Sequence, residues 1–215
     1  MEWALLPPPH APANTTSQPG HSFIGERSTA RFRRMGVAHV GEAEVRLALE
    51  QIGAPFEIVD CDPALADTAA FCAAYGYSLD DSANTIVVIG KTDPPRYAAC
   101  VVLATTRLDV NKVVRQRFGA KKASFASGEQ TEEITGMMIG GVTPFALPTD
   151  LPIWVDSRVV QRSRLLFGGG SRSCKVVGPP EVLTLQPNVE VVDGLAYVPD
   201  ERSSTVTPST TATSE

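Results

Sequence analysis

The sequence predicts an α/β (α+β) fold: a single domain with a largely buried mixed sheet of about seven strands, set among three to five helices. Three observations predict it. Segments with helical spacing alternate with short strand-like runs through the middle of the 215-residue chain. Two of those runs, 85–89 (TIVVI) and 97–104 (YAACVVLA), are continuously apolar and rich in β-branched residues, the pattern of strands buried on both faces. Both ends have compositions that cannot bury a core. Five prolines fall between Pro7 and Pro19, and nine of residues 201–215 are Ser or Thr. The expected organisation is a disordered tail at 1–26, one domain at 27–198 and a disordered Ser/Thr-rich tail at 199–215.

The elements follow in order. Val45, Ala48, Leu49 and Ile52 stand at i, i+3, i+4 and i+7, with Glu42, Glu44, Arg46 and Glu50 elsewhere on the wheel. That helix ends at Gly53, a residue suited to the left-handed closing position. After Pro55, residues 56–59 read as a short strand. The apolar runs at 85–89 and 97–104 are neighbouring core strands, separated by the turn residues 91–96 (KTDPPR). Val110, Val113, Val114 and Phe118 form a second amphipathic helix closed by Gly119. Ser127 with Gln130 three residues later is a capping box for a short helix that stops at Gly136. Further strands are expected at 153–156, 164–167, 174–177 and 189–192.

Composition narrows the function. Lys and Arg number 19 against 24 Asp and Glu, a net charge of −5, which does not suit a protein that coats DNA or another polyanion. No apolar run reaches the length of a membrane span. The first twenty residues have no basic start and an early proline run, a poor match to a secretory leader. Cys61, Cys72, Cys100 and Cys174 form no C-x-x-C pair, and His10, His21 and His39 lie outside the patterned region. Neither a structural zinc site nor a disulfide framework is expected, and a reducing cytoplasm is the expected setting.

Charge is nevertheless concentrated. Residues 107–122 (RLDVNKVVRQRFGAKK) hold six basic residues and one acid, and 155–175 hold five and one. Two basic stretches on an acidic chain suit a directed anionic ligand, although a solvated helix face would look the same. Two glycine-rich segments stand beside them. In 136–145 (GMMIGGVTPF), adjacent glycines followed by Pro144 allow a loop to aim several N–H groups at an oxygen, where a plain bend is the alternative. In 167–172 (FGGGSR), three glycines follow a strand beside Arg172. Neither segment is a P-loop or a dinucleotide fingerprint. Asp156 and the pair Glu132/Glu133 are the carboxylates with some context, and a strand-end Asp is more often a turn residue than a catalyst. Cys174 reads as a small core residue, since no base neighbours it.

Taken together, DVNKVVRQRFGAKKASFAS, EEITGMMIGGVTPFAL, LPIWVD and LLFGGGSR resemble the YbaK/ProX family of aminoacyl-tRNA deacylases, also found as the editing insertion of bacterial prolyl-tRNA synthetases. The resemblance spans about residues 42–192, and its most specific piece is a G-x-x-x-P loop from Gly140 to Pro144. It implies a compact domain with a mixed, curved sheet and a pocket for the 3′ end of tRNA. It also implies ester hydrolysis that needs neither metal nor cofactor. On that reading Gly140, Gly141, Thr143 and Pro144 shape the catalytic loop, with Asp156 supporting the loop or the water. Gly168, Gly169, Gly170 and Arg172 form another wall of the substrate site, and Lys112, Arg115, Lys121 and Lys122 hold acceptor-stem phosphates. The family's lysine before the strand that starts at Thr85 is replaced by Asn84, which donates hydrogen bonds without charge. An acid is expected after the glycine turn, and Lys175 stands near that place.

The expected function is therefore trans-editing, the hydrolysis of a mischarged small amino acid from tRNA. Rejection of a small residue by binding alone is weak, since one methylene discriminates by only about 1–3 kcal/mol. A non-catalytic module that binds aminoacyl-tRNA or a synthetase is the second expectation, and a hydrolase of small free esters the third. Neither DNA nor membrane is an expected partner.

Overall fold

The computed structural model describes residues 38–199. The expected tails at 1–26 and 199–215 lie outside these residues, Pro199 excepted, as does the start of the expected domain.

Helix α1 (Glu42–Ile52) closes with Gly53 at φ 76°, as the spacing predicts, and Glu44 folds back to accept the Gly41 N–H at 2.9 Å. Strand β1 (Glu57–Asp60) follows, then a 3₁₀ turn at Pro63–Leu65 and helix α2 (Thr68–Tyr75). Helix α2 was not among the expected elements. Its solvent face carries Ala69, Ala73 and Ala74 rather than charge, so no polar stripe sets off the buried Phe71 and Cys72. The ends are nonetheless marked: Asp67 accepts from the Ala69 and Ala70 amides, and Gly76 takes φ 75°.

Strands β2 (Ala83–Gly90) and β3 (Arg96–Leu103) form the expected antiparallel pair, followed by the short β4 (Arg107–Leu108). The second amphipathic segment departs from a plain α-helix. Val110–Val114 is a single π-turn, in which the Val114 amide bonds to the Asp109 carbonyl five residues back at 3.1 Å. It continues as the short α3 (Arg115–Arg117). The widened turn still buries Val110, Val114 and Phe118 on one side. Then come β5 (Ala123–Phe125) and α4 (Gly128–Thr135), whose capping box between Ser127 and Gln130 has both bonds in place at 2.9 and 3.1 Å. The chain finishes with β6 (Ile153–Asp156), β7 (Leu165–Gly168), β8 (Cys174–Gly178), α5 (Glu181–Thr184), β9 (Val189–Val192) and β10 (Ala196–Tyr197).

These strands divide between sheets. Five form a mixed sheet ordered β5-β2-β3-β6-β9, with β3-β6 and β6-β9 parallel; three form the antiparallel β1-β8-β7; β10 and β4 pair as a ribbon. A parallel bridge between Ser82 and Leu166 joins the start of β2 to β7. Alternation sorts the side chains into cores. Ala99, Val101 and Leu103 of β3 share the main core with Leu165, Phe167 and Val176, between the two sheets. Ala98, Cys100 and Val102 face the opposite way, onto Val110, Val114, Phe118 and Trp154. Leu166 and Val177 turn outward from the smaller sheet to meet Phe71 and Cys72 of α2. Burial on both sides explains why β3 reads as an unbroken apolar run.

Candidate functional site

The glycine-rich loop after α4 is held at both ends by the main core. Gly136 leaves the helix at φ 71° and its carbonyl accepts the Val40 amide at 3.0 Å. Met137 and Phe145 are fully buried anchors, and the Met137 amide bonds to the Thr135 hydroxyl at 3.1 Å. Between the anchors the chain rises to the surface at Met138 and Ile139, 45% and 59% exposed, then turns back through Gly140 at φ 93°.

The returning limb lies directly on the second glycine segment. A side chain on Gly168 would sit 2.3 Å from the Val142 carbonyl, and one on Gly141 would sit 2.7 Å from the Ser171 backbone. The Gly170 amide donates to the Gly141 carbonyl at 2.8 Å. Gly169 packs just as closely on Cys174, whose thiol donates to the Gly169 carbonyl at 3.3 Å. Two stretches that looked independent in the sequence are thus one unit, and the glycines are there because two backbones approach closely.

This contact changes how several expected site residues are to be understood. Gly168, Gly169 and Gly170 were expected as a wall of the substrate site; they form the bed of the loop, with the Gly170 N–H already engaged. Arg172 was expected to contact substrate. Its guanidinium instead donates to the Pro63 carbonyl at 2.7 and 3.2 Å and to the Ile139 carbonyl at 3.5 Å, strapping the loop to the turn before α2. Asp156 is fully buried, and its hydrogen-bond partners belong to segments other than the loop. Its Oδ2 accepts the Ala196 amide at 2.8 Å and its Oδ1 accepts the Arg158 amide at 3.0 Å, so it joins β6 to β10.

What the loop leaves open is specific. The Gly141 amide is used within the turn, donating to Met138 O at 3.0 Å. The amides of Gly140, Val142 and Thr143 have no protein acceptor among the described residues. The Thr143 hydroxyl is completely buried and has no partner either. Pro144, buried, stiffens the exit.

Asn84 stands near the start of β2, paired in register with Val102. Its carboxamide oxygen accepts the Thr68 hydroxyl at 2.8 Å, which turns its NH2 group away from α2. Sequence reasoning missed Thr68, although Asp67 before an alanine-rich stretch ending in glycine is a helix-start signal. Lys175 is expected as one of the cations of the second basic stretch, near the place where the resemblance implies an acid. It is 4% exposed, its Nζ donates to the Ala66 carbonyl at 2.6 Å, and the ammonium lies 5.6 Å from the centre of the Phe71 ring. Burial pulls it below the usual lysine range. Burial likewise pushes the Cys61 and Cys174 thiols up, which keeps both protonated and unreactive.

The basic stretch belongs to the other face of the large sheet, with the second core beneath it. Lys112, Lys121 and Lys122 are exposed, and Lys91 adjoins them because its amide bonds to the Lys122 carbonyl at 2.9 Å. Arg115 is half-buried with its Nε on the Asn111 carbonyl at 2.8 Å, and Arg117 pairs with Glu190 while lying 4.7 Å from the Trp154 ring centre. The structure does not bring these cations to the glycine loop.

Residues 62–185 match the model of the aminoacyl-tRNA editing domain, well over half of the chain and inclusive of both glycine segments, Asn84 and Lys175. The chain belongs to the aminoacyl-tRNA editing domain family. Among the solved structures that share its fold are two that this chain covers almost entirely. One, described as a proposed trans-editing enzyme for prolyl tRNA synthetase, is 24% identical with a TM-score of 0.62, covering 71% of this chain and 94% of its own. The other, a hypothetical protein, is 23% identical with a TM-score of 0.63, covering 70% of this chain and 97% of its own. Within this editing domain no three His, Cys, Asp or Glu side chains converge to hold a metal among the described residues. No described helix is long and apolar enough to cross a membrane.

Proposed function

We propose that this editing domain is a trans-acting deacylase of the cytoplasm, hydrolysing the ester between a small mischarged amino acid and tRNA. The observation that carries the reading is the loop from Gly140 to Thr143. Three amides and one buried hydroxyl, none with a partner among the described residues, lie together on a backbone fixed by glycine packing. An aminoacyl ester is already activated, so its hydrolysis requires an aligned water and donors for the developing oxyanion. Water oxygen bonds to the ester carbonyl carbon, the negative charge collects on the carbonyl oxygen, and the loop amides receive it. Collapse breaks the bond to the terminal ribose, and the proton that the attacking water gives up goes to the ribose oxygen as the free amino acid leaves. Asn84, oriented by Thr68, supplies a neutral donor from β2. Lys112, Lys121 and Lys122 are the proposed contacts to acceptor-stem phosphates, and residues 27–198 the unit that carries the activity.

The test is a panel of Ala-, Cys-, Ser- and Pro-charged tRNAs incubated with the pure protein. Release faster than spontaneous hydrolysis for at least one supports the deacylase, and none would remove it. The neutral Asn84 favours a second reading, a module that binds aminoacyl-tRNA or a synthetase without hydrolysis. Asn84→Lys separates the two: activity confined to the variant supports the binding module.

A further inference from the structure

Lys175 is a buried cation without a charged partner at hydrogen-bond distance among the described residues, and burying such a group is costly unless it is paired and hydrogen-bonded. An apolar side chain at this place on β8 would match Val59 across β1 and the Leu166, Val177, Phe71 and Cys72 cluster around it. The ammonium instead reaches one acceptor, the Ala66 carbonyl. Two residues further on, Thr68 holds the Asn84 oxygen. The turn at 66–68 therefore hangs between Lys175 on the small sheet and Asn84 on the large one. Its other end is fixed by Arg172, bonded to Pro63. The titratable and charged groups that face Lys175 are Cys61, Asp67, Cys72 and Arg172.

We propose that Lys175 is a positioning residue for Asn84, acting through the turn at 66–68. Lys175 fixes the Ala66 carbonyl, the turn sets the Thr68 hydroxyl, and that hydroxyl fixes which way the Asn84 carboxamide faces. The inference rests on the proposed deacylase reading for its kinetic consequence, but the coupling itself is a property of the free protein.

The experiment uses full-length protein and the variants K175M, T68V and N84A, singly and with N84A combined with each of the others. The Asn84 side-chain amide signals in a ¹H–¹⁵N spectrum are assigned by their loss in N84A. Those signals should shift in K175M and in T68V. On the tRNA that the panel identifies, each single variant should lose about tenfold in kcat with KM within about twofold, and neither should lower activity further in the N84A background. A merely structural lysine would leave the Asn84 signals in place and its loss would add in full to N84A; either result overturns the proposal. Should K175M fail to fold, K175Q and K175A carry the same readout, and Asn84 signals left in place in a folded variant without the Lys175 ammonium overturn the proposal. If the wild type hydrolyses none of the tRNAs, the deacylase reading fails while the spectra still judge the coupling.

Discussion

Lys175 and Gly168 are cross-strand partners on β8 and β7, and the Val142 carbonyl occupies the space that a Gly168 side chain would need, 2.3 Å from its Cβ position. Cross-strand partners point to the same face, so this pair of strands supports the loop and the 66–68 turn from one side of the small sheet. Perturbing either residue should reach the candidate site without touching a ligand.

Gly168→Ala should be destabilising by about 2 kcal/mol, because the clash is with backbone and not with the end of a flexible side chain. Urea unfolding measures it. The cost should fall on deacylation as well, since the Val142 carbonyl and the amides on either side of it must move. A variant with wild-type stability would show that the two segments are not held together as described.

Thr143→Val tests the buried hydroxyl. Valine keeps the shape and removes a polar atom that has no partner among the described residues, so stability should hold or rise by up to about 1 kcal/mol. Deacylation should fall at the same time. Loss of activity without loss of stability is the signature of a group kept for a ligand. Unchanged activity would assign the hydroxyl no part in the reaction.

Much of the fold was legible because local signals agreed with tertiary burial. The capping box at Ser127, the closing glycines 53, 119 and 136, and the apolar runs of β2 and β3 are each decided within a few residues. Helix α2 was not legible, because alanine on its solvent face erased the contrast that marks a helix. The site was legible in its parts and not in its assembly. The glycine pair at 140–141 and the glycine triplet at 168–170 announce tight backbone, but no spacing says that they pack on each other. Asp156 has the same limit: a strand-end carboxylate looks alike whether it meets a substrate or, as here, the Ala196 amide.

Asp156→Asn should accordingly act on stability. Both carboxylate oxygens accept backbone N–H groups in a fully buried place, and an amide cannot accept at both, which costs about 2 kcal/mol. Thermal unfolding should show the loss, and kcat at a temperature where the variant is folded should stay near wild type. A large fall in kcat in a folded variant would restore Asp156 to the site.

Lys175 also predicts a pH dependence. Its native pKa is below the unfolded value of 10.5, mainly through burial. Between the two values the unfolded chain binds more protons, so this group makes stability rise with pH in that window and contributes no slope below it. Subtracting the stability profile of K175M from that of the wild type should leave a rise confined to the alkaline side. A flat difference would mean that the ammonium is as well solvated in the folded protein as in the unfolded chain.

The basic face supplies the last test. Lys112, Lys121 and Lys122 are exposed on or beside the π-turn segment, whereas Arg115 and Arg117 are already engaged by Asn111 and Glu190. The three lysines, unlike the two arginines, have no side-chain partner among the described residues and are open to phosphates. Each phosphate contact releases counterions, so the logarithm of tRNA affinity should fall with the logarithm of salt by roughly 0.7–0.9 per contact. Replacing the three lysines by Gln should weaken binding at low salt and flatten that slope by roughly two units, whichever amino acid the tRNA carries. Stability should barely change, because exposed single charges contribute little. Arg115→Gln should weaken binding far less, because that guanidinium is held by its own helix. Triple-variant affinity and salt slope equal to wild type would make this face an ordinary solvated surface, and would direct the search for tRNA contacts to the side of the sheet that carries the glycine loop.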